Sequence, residues 1–119
     1  MRFLTLLILM IVASVLVAQN PAPAPNNAAP AGNVANGKKI YAAYGCYQCH
    51  GYEGQGGAGA RLAPRPISFT AFARYTRQPT NQMPPYTAKV VTDQELADIY
   101  AFLLTVPLPP AVNSIPLLQ

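Results

Sequence analysis

The chain has 119 residues, which allows one small domain. Charged residues make up only 10 %, with eight Lys and Arg against four Asp and Glu. This balance is too weak for a nucleic-acid interface, and no stripe of aromatic and basic residues supports one. It suits docking to an acidic protein partner, and equally well plain solubility. A core this small is marginal in water without a staple. The two cysteines, Cys46 and Cys49, are three positions apart. A disulfide between them would close a tiny loop and remove little unfolded-state entropy. The sequence therefore asks for a different staple, a metal or a large buried cofactor.

Residues 1–18 read as an export signal. Arg2 supplies the positive start, Phe3 to Val17 form an apolar run broken only by Thr5 and Ser14, and Ala18 is a small residue at the cleavage position. The run is short for a membrane span, which needs about 20 residues. The expected product is a periplasmic or exported protein, with the segment cleaved or kept as a membrane anchor. Residues 19–33 are rich in Pro, Ala and Asn and have little to bury, so they read as a linker. Fully extended as polyproline II, they reach roughly 45 Å.

The domain is expected over residues 34–107, with three helices. The first spans about Val34 to Tyr44, where Gly37, Ile40, Tyr41 and Tyr44 share one face. Gly37 leaves a notch on that face, and Tyr100 is the aromatic expected to fill it. A middle helix is expected from Phe69 to Arg77, capped by Ser68. The last is expected from Asp93 to Thr105, with Leu96, Ile99, Tyr100 and Leu103 on one face. Thr92 and Glu95 form a capping box before it, and Val91 and Leu96 are placed for a hydrophobic staple. Asp93, Glu95 and Asp98 put negative charge near its positive end. Residues 108–119 form a Pro-rich tail without a helical period. No segment shows strand alternation.

Residues 46–50 read Cys46-Tyr47-Gln48-Cys49-His50, the C-x-x-C-H pattern of covalent haem attachment. Two thiols at this spacing can each add to one vinyl group along a haem edge, and the next residue places an imidazole under the iron. A redox C-x-x-C needs a thioredoxin-like βαβ setting, which is missing here. Zinc needs about four Cys or His ligands, and this chain has two Cys and one His. The pattern predicts one haem c, with His50 as proximal iron ligand. For the sixth position no second histidine exists, and Met1 and Met10 lie in the signal. Met83, in the stiff Asn81-Gln82-Met83-Pro84-Pro85-Tyr86 loop, is left as the soft thioether ligand. The alternatives are Met83 as core filler and a sixth site that is open or weakly held.

These residues resemble the class I cytochrome c family, in particular its small bacterial members, over about Val34 to Pro107. The matching parts are Gly37 and Tyr41, the Cys46–His50 motif, the glycine-rich stretch after it, Met83-Pro84 and the Thr92–Thr105 helix. The resemblance implies an all-α fold of three main helices wrapped around one covalent haem, with its first and last helices in close contact. It also implies electron transfer through an exposed haem edge. In that family a Gly-Pro-x-Leu stretch often follows the motif, and its proline carbonyl accepts the ligand histidine's second N–H. Here the match is Gly59-Ala60-Arg61-Leu62, so Ala60 is the expected acceptor and Pro64 the competitor. Arg61, Arg65, Arg74 and Arg77 fall in the segment expected to cover the haem. Arg61 is the candidate partner for a haem propionate, while Arg74 and Arg77 read as a solvated face.

The function expected is single-electron transfer between periplasmic or membrane redox partner proteins, with no small-molecule substrate. The alternatives are a dedicated cytochrome subunit of a periplasmic dehydrogenase or oxidase complex and, from another class, a haem-based sensor or peroxidase. The last lacks a distal acid–base residue, because the only histidine is already used.

Overall fold

The computed structural model describes residues 29–64 and 66–118, so the signal segment, most of the linker and Arg65 lie outside the described residues. Four helices follow in chain order: α1 Val34–Ala43, α2 Cys46–His50, α3 Phe69–Arg77 and α4 Asp93–Thr105. Among the described residues no strand occurs, and no helix is long and apolar enough to cross a membrane. The fold is all-α, as expected. The tail is not featureless, because it forms two short 3-10 turns, Val112–Ser114 and Pro116–Leu118.

Each main helix starts at a side-chain cap that takes up an otherwise unpaired backbone N–H. The Asn33 side chain accepts from Asn36 N–H at 2.9 Å, and Ser68 Oγ accepts from Ala71 N–H at 3.3 Å. At α4 the capping box is complete: Thr92 Oγ1 accepts from Glu95 N–H at 3.2 Å, and Glu95 Oε2 accepts from Thr92 N–H at 2.7 Å. Val91 and Leu96, the staple pair, are both buried.

The core lies between α1 and α4. Ile40 and Tyr41 of α1 are buried against a cluster that includes Leu96, Ile99, Phe102 and Leu103 of α4. Tyr41 and Phe102 pack with ring centroids 5.5 Å apart. Gly37 is the reason that the two backbones can touch. A Cβ there would overlap the Asp98 carbonyl and lie 2.8 Å from Ile99 N. The expectation that Tyr100 fills this notch is therefore corrected, since the α4 backbone itself occupies it. Tyr100 turns instead to α3, with its ring 5.3 Å from Phe69 and 5.5 Å from Phe72, and its hydroxyl donates to Ile67 C=O at 2.8 Å.

Asp98 does more than the expected placing of negative charge in α4. It is 3 % exposed. Its carboxylate accepts from Asn33 N–H at 2.7 Å, from Asn36 Nδ2 at 2.7 Å and from Gln94 Nε2 at 3.0 Å. These bonds, led by the Asn33 N–H, hold its carboxyl below the ordinary carboxylate range. Asp98 thus pins the entry to α1 onto α4.

Candidate functional site

The short helix α2 was absent from the expected elements, and it explains how the motif works as a unit. On a helix, positions i, i+3 and i+4 share a face. Cys46, Cys49 and His50 occupy those three positions. A helix rise of 1.5 Å per residue sets the two cysteines about 4.5 Å apart along its axis. Both thiols are free, Cys46 half-buried and Cys49 exposed. Burial pushes the Cys46 thiol up, so it is neutral at pH 7 and unlike the thiolate of a redox C-x-x-C pair.

A helix of five residues cannot hold itself together, because its last carbonyls have no partners within it. The glycine-rich loop supplies them. Gly51 N–H donates to Tyr47 C=O at 2.9 Å, Gly59 N–H to Cys49 C=O at 2.8 Å and Gly56 N–H to His50 C=O at 2.8 Å. Tyr41 then ties this turn to the core, its hydroxyl donating to Gly51 C=O at 2.8 Å. Burial pushes the Tyr41 hydroxyl up, so it stays a donor across the accessible pH range.

The same loop orients the imidazole. His50 Nδ1 lies 2.7 Å from Ala60 C=O. A carbonyl only accepts, so Nδ1 carries a proton, and in the neutral ring this tautomer leaves the lone pair on Nε2. Ala60, rather than Pro64, therefore takes the acceptor position, and the bond survives without the proline. Gly59 makes the approach possible, since a Cβ there would lie 2.8 Å from His50 Cε1 and 2.9 Å from Nδ1.

Met83 is half-buried in the loop that follows α3. That loop reaches back toward the motif at Tyr86. The Tyr86 hydroxyl donates to Tyr44 C=O at 3.0 Å, two residues before Cys46, and its ring meets Tyr44 edge-on with centroids 6.5 Å apart. Burial pushes the Tyr86 hydroxyl up, with added contributions from Cys46 and Cys49 close by. Arg61 is exposed on the loop beside Ala60. Arg74 is exposed, as a solvated face requires, but Arg77 is not part of that face. Its guanidinium donates to Tyr86 C=O and Val91 C=O, and its side chain is only 20 % exposed. Nothing in the periodicity of α3 separates Arg77 from Arg74, because Arg77's partners lie in later loops.

The donor set fits a covalently held haem. It offers two free thiols at i and i+3, an imidazole with Nε2 free and Nδ1 engaged, and a thioether in a loop anchored next to the motif. Tyr44, Leu62, Phe69 and Tyr86 are half-buried against the core, and apolar surface of this kind suits a flat ring.

The family model described as cytochrome c oxidase, cbb3-type, subunit III matches residues 32–103. No curated protein and no solved structure matches the chain.

Proposed function

From the chain's belonging to the c-type cytochromes of the family described as cytochrome c oxidase, cbb3-type, subunit III, whose domain carries covalently bound haem c, we propose that it passes single electrons between periplasmic or membrane redox proteins, using one haem joined through Cys46 and Cys49. In this reading His50 and Met83 would hold the iron, and Arg61 would pair with a propionate. The observation that carries it is the i, i+3, i+4 face of α2, with His50 Nδ1 held by Ala60 C=O. When bound, the haem supplies an iron that exchanges one electron between ferric and ferrous states.

The chain's residues do the rest. Cys46 and Cys49 fix the ring to α2. Ala60 C=O makes the His50 imidazole more electron-rich by accepting its proton bond, and this favours the ferric iron. A Met83 thioether pulls the other way and raises the potential. Were His50 and Met83 both to hold the iron, no position would be left for a substrate. The apolar stretch from Phe3 to Val17 supports a location outside the cytoplasm, and N-terminal sequencing of the exported protein tells a cleaved signal from an anchor.

The test is the visible spectrum of the purified holoprotein. A sharp reduced α-band that carbon monoxide leaves unchanged supports the carrier reading. Rapid carbon monoxide binding to the native ferrous protein contradicts it. The family match favours a second reading, in which the domain works as a dedicated subunit of an oxidase complex. Co-purification with a large membrane enzyme supports that assignment, and a free monomer in gel filtration opposes it.

A further inference from the structure

The loop that carries Met83 has no helix or strand, and Pro79, Pro84 and Pro85 offer no backbone N–H. Its position is therefore decided at its ends. At the Tyr86 end three ties converge on one residue. Tyr86 N–H donates to Thr76 C=O at 3.0 Å, its hydroxyl donates to Tyr44 C=O, and its carbonyl accepts from Arg77 Nη1 at 2.8 Å. The same Arg77 nitrogen donates to Val91 C=O at 2.6 Å, and Arg77 Nη2 donates to Asp93 Oδ1 at 2.6 Å. One guanidinium thus joins the end of α3, the end of the Met83 loop and the start of α4.

We propose that Arg77 is a positioning residue for the sixth iron ligand, its forked guanidinium holding the Met83 loop by the Tyr86 carbonyl. The inference rests on the reading of Met83 as that ligand. The fork matters because three acceptors on two segments must be served at once, and a lysine ammonium on a flexible stem does not match that arrangement. The Asp93 side chain is 88 % exposed, so that ion pair contributes little by itself and serves to orient the fork. The two carbonyl bonds, made by a mostly covered cation, are the stronger part. Freed of them, the loop opens more often, and Met83 leaves the iron more often.

The experiment compares the holoproteins of wild type, Arg77→Gln, Arg77→Lys, Tyr86→Phe and Met83→Ala. Circular dichroism checks the fold. The readouts are the ferric sulfur-to-iron band near the red end and the rate of carbon monoxide binding to the ferrous form. For folded Arg77→Gln the band weakens and carbon monoxide binding accelerates by roughly tenfold, the factor expected from losing one net charge-assisted hydrogen bond. Arg77→Lys falls between it and wild type. Tyr86→Phe removes a different tie to the same residue, keeps the ring, and shifts both readouts in the same direction. Arg77→Lys, which keeps the charge and loses the fork, decides the matter should Arg77→Gln fail to fold. Wild-type band and rate in folded Arg77→Gln, or in Arg77→Lys where Arg77→Gln does not fold, overturn the proposal even if the melting temperature falls. Met83→Ala separates the two levels. If it changes both readouts and the Arg77 and Tyr86 variants change neither, only the positioning role is wrong. If Met83→Ala itself matches wild type, the ligand reading is wrong and the proposal falls with it.

Discussion

Replacing Gly37 by alanine tests whether backbone contact between α1 and α4 organises this domain. In an isolated helix the change is favourable by about 1 kcal/mol. Here the added Cβ would overlap the Asp98 carbonyl and lie 2.8 Å from Ile99 N. Both are backbone of α4, so no side-chain rotation relieves the overlap. The helices must part by on the order of 1 Å, which loosens the packing of Ile40 and Tyr41 on α4. Forced overpacking costs about 1–3 kcal/mol, and a backbone-to-backbone clash belongs at the upper end. With the propensity gain subtracted, the expected loss is about 2 kcal/mol, or roughly 10 °C in melting temperature for a domain of this size. Thermal melting of the holoprotein, followed by far-ultraviolet circular dichroism and by the haem band, measures it. A Gly37→Ala variant that melts at the wild-type temperature or above would refute the close-contact account.

Three further outcomes follow from the same structure. Asp98 is held below the ordinary carboxylate range by bonds to Asn33, Asn36 and Gln94. Its contribution is therefore complete above about pH 4 and fades as pH falls through the lowered folded value. Urea unfolding across acid pH should show this loss in wild type and not in Asp98→Asn, while Asp98→Ala should lose roughly 2–3 kcal/mol at neutral pH. Gly59→Ala pushes on the His50 ring and weakens its bond to Ala60, so less haem should be incorporated and the potential of the holoprotein should rise, as optical titration reads. Tyr41→Phe keeps the ring on Phe102 and removes only the bond to Gly51 C=O, costing about 1 kcal/mol in denaturant unfolding.

The boundaries of α3 and α4 were legible because their signals are local. Ser68 and Thr92 announce the starts, and in α4 the apolar period of Leu96, Ile99, Tyr100 and Leu103 carries the helix on toward Thr105. The helix α2 was not legible, since Cys46–His50 carries no apolar period and is held by amides of Gly51, Gly56 and Gly59. Ala60 was readable as a candidate through the resemblance, since it stands where the family has its proline, and a carbonyl needs no particular side chain. The roles of Asp98 and Arg77 depend on partners 62–65 and 9–16 residues away respectively, and no helical period reports such distances. Tyr100 was placed on the correct face but assigned the wrong neighbour, because periodicity gives a direction and not a contact. The residues proposed for the iron site stand out by type and spacing, yet the bonds that orient His50 and the Met83 loop lie in loops.

The most direct measurement is a redox titration with optical detection, run on wild type and Met83→Ala side by side. The account predicts one single-electron wave for the wild type, a lower potential for the variant, and loss of the ferric sulfur-to-iron band in the variant. An unchanged potential and an unchanged band would remove Met83 from the proposed iron site and contradict the proposed closed, two-ligand electron carrier.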